Sequence, residues 1–152
     1  MQRGFFDHVL DAFEGFSDDG HGEVHAAAHG RGLKVWFGTT DGRRAKEHYE
    51  AQLIRIDGSV SCEIGFHAEH RDPARNDAVL SALLAEEPAW RDELGPEAEA
   101  GGFLGMDGWI RISEVWDPPD PDDPDAPMEI AARLADYVDA IEPVRRSLAV
   151  GD

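Results

Sequence analysis

The amino-acid sequence predicts an α+β fold: an antiparallel sheet of about five strands that includes a β-meander, with three helices packed on it. Three observations predict this class. Apolar residues recur at helical spacing near both ends of the chain, residues 48–70 alternate with a period of two, and Asp57-Gly58 divides that alternating stretch. The predicted order of elements is α-β-β-β-β-α-β-α. With 152 residues, the chain is expected to form a single domain over residues 1–152.

The first three elements are a helix and a hairpin. Phe6, Val9 and Phe13 share one helical face, which predicts a helix over about residues 2–16, before the break SDDGHG. The short runs EVHAAAH and LKVWFG follow and are joined by GRG at residues 30–32. Two such runs around a glycine-containing turn predict a hairpin.

The next two strands form a second hairpin, HYEAQLIRIDGSVSCEIGFHAEH, over residues 48–70. Asp57-Gly58 predicts a two-residue turn because both central positions of that turn need a positive φ. Pairing Ile56 with Ser59 then sets the whole register, since a shift by one residue would mix the two faces. On one face, which is largely apolar, Tyr49 pairs with Phe66, Ala51 with Ile64 and Leu53 with Cys62. On the other face, which is largely polar, His48 pairs with His67, Glu50 with Gly65 and Gln52 with Glu63.

The second half of the chain contains two helices and a strand. Asp72-Pro73 opens the second helix, and EEPAWRDELG adds a further helical turn or two. GGFLGMDGWIRISEVW predicts one strand, with a hairpin around Asp107-Gly108 as the alternative. The prolines of DPPDPDDPDAP predict an acidic loop over residues 117–127. A last helix from about Pro127 is expected to bend or end at Pro143.

This order of elements, together with the chain length and the acidity, resembles the small acidic α+β domains of the secretion-chaperone-like class. The resemblance covers most of the chain and rests on element order, not on a sequence motif. Independently of it, an antiparallel sheet with helices on one face would bury the apolar stripes of the helices. The fourth strand of the meander and the long second helix depart from the pattern, and no site residue is carried over from it.

The chain is strongly acidic, with a formal net charge of −18 from 32 acidic and 14 basic side chains. Such a surface repels phosphate backbones and anionic lipids, which argues against a nucleic-acid or membrane partner. A basic protein partner, a bound cation or mimicry of nucleic acid fits the sign of the charge. Only Lys34 and Lys46 are lysines, and a GC-rich genome or adaptation to high salt explains the acidity without any partner.

Two further features predict a cytoplasmic protein. No apolar run is long enough for a membrane span or a secretory signal, and the chain starts with an acidic amphipathic helix. Cys62 is the only cysteine, so an intramolecular disulfide is excluded. It falls on the apolar face of the second hairpin, which predicts a packed thiol.

The pairing of His48 with His67 is the strongest candidate for chemistry. Directly opposed residues have Cβ atoms about 4.5–5.5 Å apart, close enough for two imidazoles to share a metal ion. Glu69 lies on the same face and is the predicted third ligand, since His₂Glu is a known catalytic zinc set. Glu50 or Glu63 is then the general base for a metal-bound water. The alternative is that these histidines are the solvent-exposed side of the hairpin.

No P-loop, dinucleotide fingerprint or G-x-S-x-G motif occurs, and the acidic loop lacks the glycine and glutamate positions of an EF-hand. Trp36 and Trp109 are predicted on the less buried sheet faces, as candidate protein contacts. The leading prediction is a non-enzymatic protein-binding, adaptor or regulatory module without a cofactor, acting as a homodimer. A hydrolase with a divalent metal at His48, His67 and Glu69 is the second prediction, and an acidic mimic of nucleic acid is the third.

Overall fold

A computed structural model of the chain describes residues 4–16, 19–38, 46–102 and 106–150. The α+β class and the antiparallel sheet are confirmed, and the described residues form six strands and four α-helices, one more of each than predicted. The strands are β1 (Val24–His29), β2 (Gly32–Phe37), β3 (Glu47–Ile56), β4 (Ser59–Ala68), β5 (Glu99–Gly102) and β6 (Ile110–Trp116). The helices are α1 (Phe5–Phe16), α2 (Pro73–Ala85), α3 (Glu87–Leu94) and α4 (Ala126–Val150).

The first four strands form the predicted meander. β3 pairs with β4 in the predicted register, from His48 opposite His67 to Ile56 opposite Ser59. Asp57 has a φ of 51° and Gly58 a φ of 83°, the two positive values that a two-residue hairpin turn requires. The turn therefore decides which side chains share a face along both strands.

The remaining two strands lie beside β4 in the order β1-β2-β3-β4-β6-β5, and all neighbours are antiparallel. The single strand predicted over GGFLGMDGWIRISEVW is wrong, and its hairpin alternative is observed, with Gly108 at a φ of 86°. Because β6 lies between β4 and β5, it places Arg111 directly opposite His67 and Ser113 opposite Gly65.

The apolar face of the sheet is covered by helices and forms the core. Tyr49 is fully buried on this face and donates a hydrogen bond to Glu142 of α4 over 2.8 Å. Cys62 is buried there as predicted, and burial together with the nearby charge of Glu63 raises the pKa of its thiol to about 12. The largest fully buried side chains are Phe6, Phe13, Leu33, Tyr49, Ile64, Phe66, Leu83, Trp90, Ile112, Ile130, Leu134 and Tyr137.

The extra helix is α3, where the sequence predicted only a turn or two. Asp72 caps α2 as predicted, because its Oδ1 accepts a hydrogen bond from the backbone N–H of Ala74 over 3.0 Å. Trp90 on α3 is fully buried, and its Nε1 donates to the backbone oxygen of Leu83 in α2 over 2.8 Å. One buried tryptophan thus ties α3 to the preceding helix.

Of the two alternatives predicted at Pro143, a bend or an end of the last helix, the end is wrong. α4 continues to Val150, although proline removes one helical hydrogen bond. Buried Glu142 accepts hydrogen bonds from both Nε and Nη2 of Arg145, each over 2.8 Å, which holds the helical turn that contains the proline. None of the helices in the described part of the chain is long and apolar enough to cross a membrane.

The acidic loop is shorter than predicted, over residues 117–125, because α4 begins at Ala126. Its own carboxylates shape it: Asp120 Oδ1 accepts from the backbone N–H of Asp122, and Asp123 Oδ1 from that of Asp125, each over 2.9 Å. These are Asx-turns, in which an aspartate carboxylate accepts a hydrogen bond from the backbone two residues later, and they are a common reason for aspartate in loops.

Candidate metal centre

The second face of the sheet carries polar side chains that are buried. His48 on β3 and His67 on β4 are directly opposed, their rings lie 5.4 Å apart between centroids, and both side chains are fully buried. The solvent-exposed alternative for these histidines is therefore wrong. Strand alternation decides which face a side chain lies on, but not whether that face is covered.

Each of these two histidines is followed two residues later by a glutamate. Because β3 and β4 are antiparallel, the two H-x-E segments place Glu50 on one side of the histidine pair and Glu69 on the other. Glu69 lies just beyond β4, held by a backbone hydrogen bond of 2.7 Å from its N–H to the oxygen of Lys46.

One oxygen of each glutamate lies close to both rings. Glu50 Oε1 is 3.0 Å from His48 Nε2 and 3.3 Å from His67 Nδ1. Glu69 Oε2 is 3.6 Å from His48 Nε2 and 3.2 Å from His67 Nδ1. The four side chains, which we call the His₂Glu₂ cluster, thus form a ring of alternating nitrogen and oxygen atoms.

The dimensions of the His₂Glu₂ cluster match those of a single metal site. Its four ligand atoms all lie within 4.8 Å of one another. Zinc bonds to nitrogen and oxygen are about 2.1 Å long, so neighbouring ligands of a tetrahedral ion lie about 3.4 Å apart. The four nitrogen–oxygen distances in the cluster, from 3.0 to 3.6 Å, lie on either side of that value. The wider separations in the cluster, which reach at most 4.8 Å, would have to close by about 1 Å to enclose a tetrahedral ion.

Glu63 lies behind the cluster, on the far side of the His67 ring. Its Oε2 is 3.0 Å from His67 Nε2 and accepts a hydrogen bond of 2.7 Å from the hydroxyl of Ser113. Its Oε1 accepts a hydrogen bond of 2.9 Å from the side-chain amide of Gln52. Three donors therefore surround this buried carboxylate.

A close approach between β4 and β6 supports this arrangement. A Cβ atom placed on Gly65 would come within 2.3 Å of the backbone oxygen of Ile112 and 2.5 Å of the Cα of Ser113. Only glycine fits at this position. The hydroxyl of Ser113 is also held by Arg111, whose Nη1 donates to it over 2.8 Å and whose Nη2 pairs with Glu99 over 3.0 Å.

The electrostatics of the cluster favour positive charge at its centre. Burial alone would lower the pKa of His67, but hydrogen bonds with Glu50, Glu63 and Glu69 outweigh burial and raise it well above its usual value. Burial would raise the pKa of each of these carboxyls, but their hydrogen bonds with the histidines and the histidine charges outweigh burial and lower it. The same field would attract a metal cation.

The structure brings together all three predicted metal ligands, His48, His67 and Glu69. It adds Glu50, which the sequence predicted as a general base, and the repeated H-x-E spacing is the signal that could have found it. Glu63, the other predicted base, is already bonded to three donors. Its place behind His67 follows from the four-residue separation, which keeps both side chains on one face of a strand.

The two predicted contact tryptophans are both half-buried. Trp36 on β2 stacks on His25 of β1, with ring centroids 5.8 Å apart and an interplanar angle of 17°. Trp109 directly precedes β6, two residues before Arg111. Strand alternation places Trp36 on the face that carries the His₂Glu₂ cluster, and the role of both tryptophans as protein contacts stays a prediction.

Comparison of the chain with protein-family models, with curated proteins and with solved structures found no match. The resemblance to secretion-chaperone-like domains therefore stays a prediction.

Proposed function

We propose that the protein binds one divalent transition-metal ion through His48, Glu50, His67 and Glu69. The observation that carries the proposal is the convergence of two imidazole nitrogens and two carboxylate oxygens within 4.8 Å on a buried sheet face. Rigid, paired β-strands support three of the four ligands, so the site is largely formed before the ion arrives. Such preorganisation favours binding.

The charge of the cluster supports the same conclusion. Within the described part of the chain, the ion pairs of Glu50 and Glu69 are with histidine rings only. Without an ion, only protons on the histidine rings can offset the two neighbouring carboxylates in this largely buried site. An unbalanced buried charge is costly, and a divalent cation would balance both carboxylates.

The ligand set also narrows the choice of metal. Imidazole nitrogen suits zinc, copper, iron and nickel, whereas calcium and magnesium prefer oxygen ligands alone. The single cysteine lies on the opposite face of β4, so thiolate does not contribute. We therefore expect zinc to bind in preference to magnesium and calcium.

The first experiment measures metal bound to purified protein by plasma mass spectrometry after loading with zinc and desalting. We expect one zinc per chain in the wild type and a large loss in both His48→Ala and His67→Ala. His29→Ala is the matched control, because His29 is exposed on β1 and lies outside the cluster. Zinc that is sub-stoichiometric and equal in all four proteins would refute the proposal. Hydrogen bonds between the histidines and the glutamates would then hold the cluster together without a metal ion.

A metal-dependent hydrolase is the second candidate, and one observation favours it. Glu69 is the least buried ligand, with 16% of its side chain exposed, and loss of its oxygen would open one coordination position to water. A metal-bound water has a pKa near neutrality and is a strong nucleophile. Hydrolysis of p-nitrophenyl acetate and p-nitrophenyl phosphate by zinc-loaded protein would test this. Activity that is absent, or that persists in His67→Ala, would count against it.

The predicted protein partner, homodimer and nucleic-acid mimicry stay predictions. Sedimentation at several concentrations tests the homodimer, and a monomer throughout the micromolar range would refute it. A map of the carboxylates tests mimicry, which requires them to cluster on one face.

A further inference from the structure

We propose that Glu63 is a positioning residue that makes His67 bind the ion through Nδ1, while His48 binds through Nε2. The inference rests on the proposed metal centre and adds the coordination mode of each histidine. It also extends the functional part of the sheet to β6, which supplies no ligand.

The two nitrogens of His67 face different partners. Nδ1 lies 3.3 Å from Glu50 and 3.2 Å from Glu69, both in the His₂Glu₂ cluster. Nε2 lies 3.0 Å from Oε2 of Glu63, on the other side of the ring. An ion in the cluster therefore meets Nδ1, and Nε2 is left to donate its hydrogen to Glu63.

A carboxylate is the group that this position requires. Gln52 and Ser113 donate to Glu63 through their amide and hydroxyl hydrogens, and His67 must donate as well when Nδ1 binds an ion. All three neighbours are donors, and an ionised carboxylate only accepts. Glu63 therefore fixes the tautomer of His67 with the hydrogen on Nε2 and the lone pair of Nδ1 directed at the ion. Histidine ligands in metalloproteins commonly have such a carboxylate partner.

The contacts of Ser113 hold this carboxylate in place. Its hydroxyl receives a hydrogen bond from Arg111, so its own hydrogen is directed at Glu63. Arg111 is itself buried and paired with Glu99 at the edge of the sheet. Positioning of His67 thus depends on contacts that cross from β4 to β6 and β5.

The direct test is nitrogen-15 NMR of histidine side chains in the zinc-loaded wild-type protein. Long-range proton–nitrogen spectra distinguish a metal-bound ring nitrogen from a protonated one. We expect His67 to show zinc on Nδ1 and hydrogen on Nε2, and His48 to show zinc on Nε2. Zinc on Nε2 of His67 would overturn the inference and leave the proposed metal centre standing. Absence of zinc binding in the wild type would overturn both.

The second test is Glu63→Gln, compared with Glu114→Gln. Both replace a buried, hydrogen-bonded glutamate by its neutral isostere, but Glu114 lies on the helix-covered face and bonds to Arg133 and Tyr137. The new amide can donate to Nε2 and so favours the tautomer with hydrogen on Nδ1, which cannot bind the ion. We expect zinc affinity to fall about 10–100-fold in Glu63→Gln, and to stay near the wild-type value in Glu114→Gln.

A purely structural role for Glu63 would give a different result. Both variants would then lose stability, and zinc affinity would be equal in the two folded proteins. Glu63→Asp keeps an acceptor at this position and is expected to retain more zinc affinity than Glu63→Gln. Equal affinity in Glu63→Gln and the wild type would overturn the inference. If Glu63→Gln does not fold, the NMR assignment in the wild type decides.

Discussion

Replacement of Gly65 by alanine tests how tightly β4 and β6 must pack to build the polar face. The new Cβ would lie 2.3 Å from Ile112 O, 2.5 Å from Ser113 Cα and 2.6 Å from Ser113 Cβ. Carbon atoms in favourable contact are about 3.5–4.0 Å apart. The two backbones would therefore have to separate by about 1 Å, because none of these atoms belongs to the end of a flexible side chain.

The expected cost combines two effects. Overpacking in a well-packed region costs about 1–3 kcal/mol, and each ladder hydrogen bond that is lost adds about 1 kcal/mol. We therefore expect Gly65→Ala to lower the free energy of unfolding by about 3 kcal/mol in urea titrations. Gly101→Ala in β5 is the control, because a Cβ there meets nothing within 4 Å; its effect should stay within about 0.5 kcal/mol. Equal stability of the two variants would refute the close approach of β4 and β6.

Three further predictions concern other parts of the molecule. Hydrogen bonds with Arg133, Trp116 and Tyr137 outweigh burial and lower the pKa of Glu114 from its usual 4.5, so this group stabilises the fold above pH 4.5 and loses its contribution as the pH falls further. Urea titrations at several pH values should show a smaller acid loss in Glu114→Gln, and an unchanged loss would contradict this. Cys62, with a pKa of about 12, should react with a thiol reagent at pH about 8 only after denaturation. Asp72→Ala should cost about 1 kcal/mol by removing the cap of α2, whereas Asp77→Ala, inside the helix, should not.

The fold could be predicted where local chemistry sets the geometry. Asp57-Gly58 admits one turn type, and that turn determines every pair between β3 and β4, including His48 with His67. The extra helix was missed for the opposite reason. The apolar signal of α3 is short, and its Trp90 is fully buried and donates a hydrogen bond to Leu83 of α2, a tertiary contact that the spacing of apolar residues cannot predict.

The candidate site was predicted in part for the same reason. Strand alternation placed the two histidines and Glu69 on one face, which is a local property. The burial of that face depends on the rest of the fold, so the sequence left the solvent-exposed alternative open. The roles of Glu50 and Glu63 depend on side-chain conformation: one oxygen of Glu50 reaches both rings, whereas Glu63 reaches only the outer nitrogen of His67.

The most direct test of the metal centre is X-ray absorption at the zinc edge of protein loaded with one equivalent of zinc. The four ligands predict two imidazole nitrogens and two carboxylate oxygens at about 2.0–2.2 Å. In His48→Ala, the zinc that stays bound should show scattering from one imidazole ring fewer. A zinc shell without imidazole, or a shell that is identical in the wild type and His48→Ala, would contradict the account.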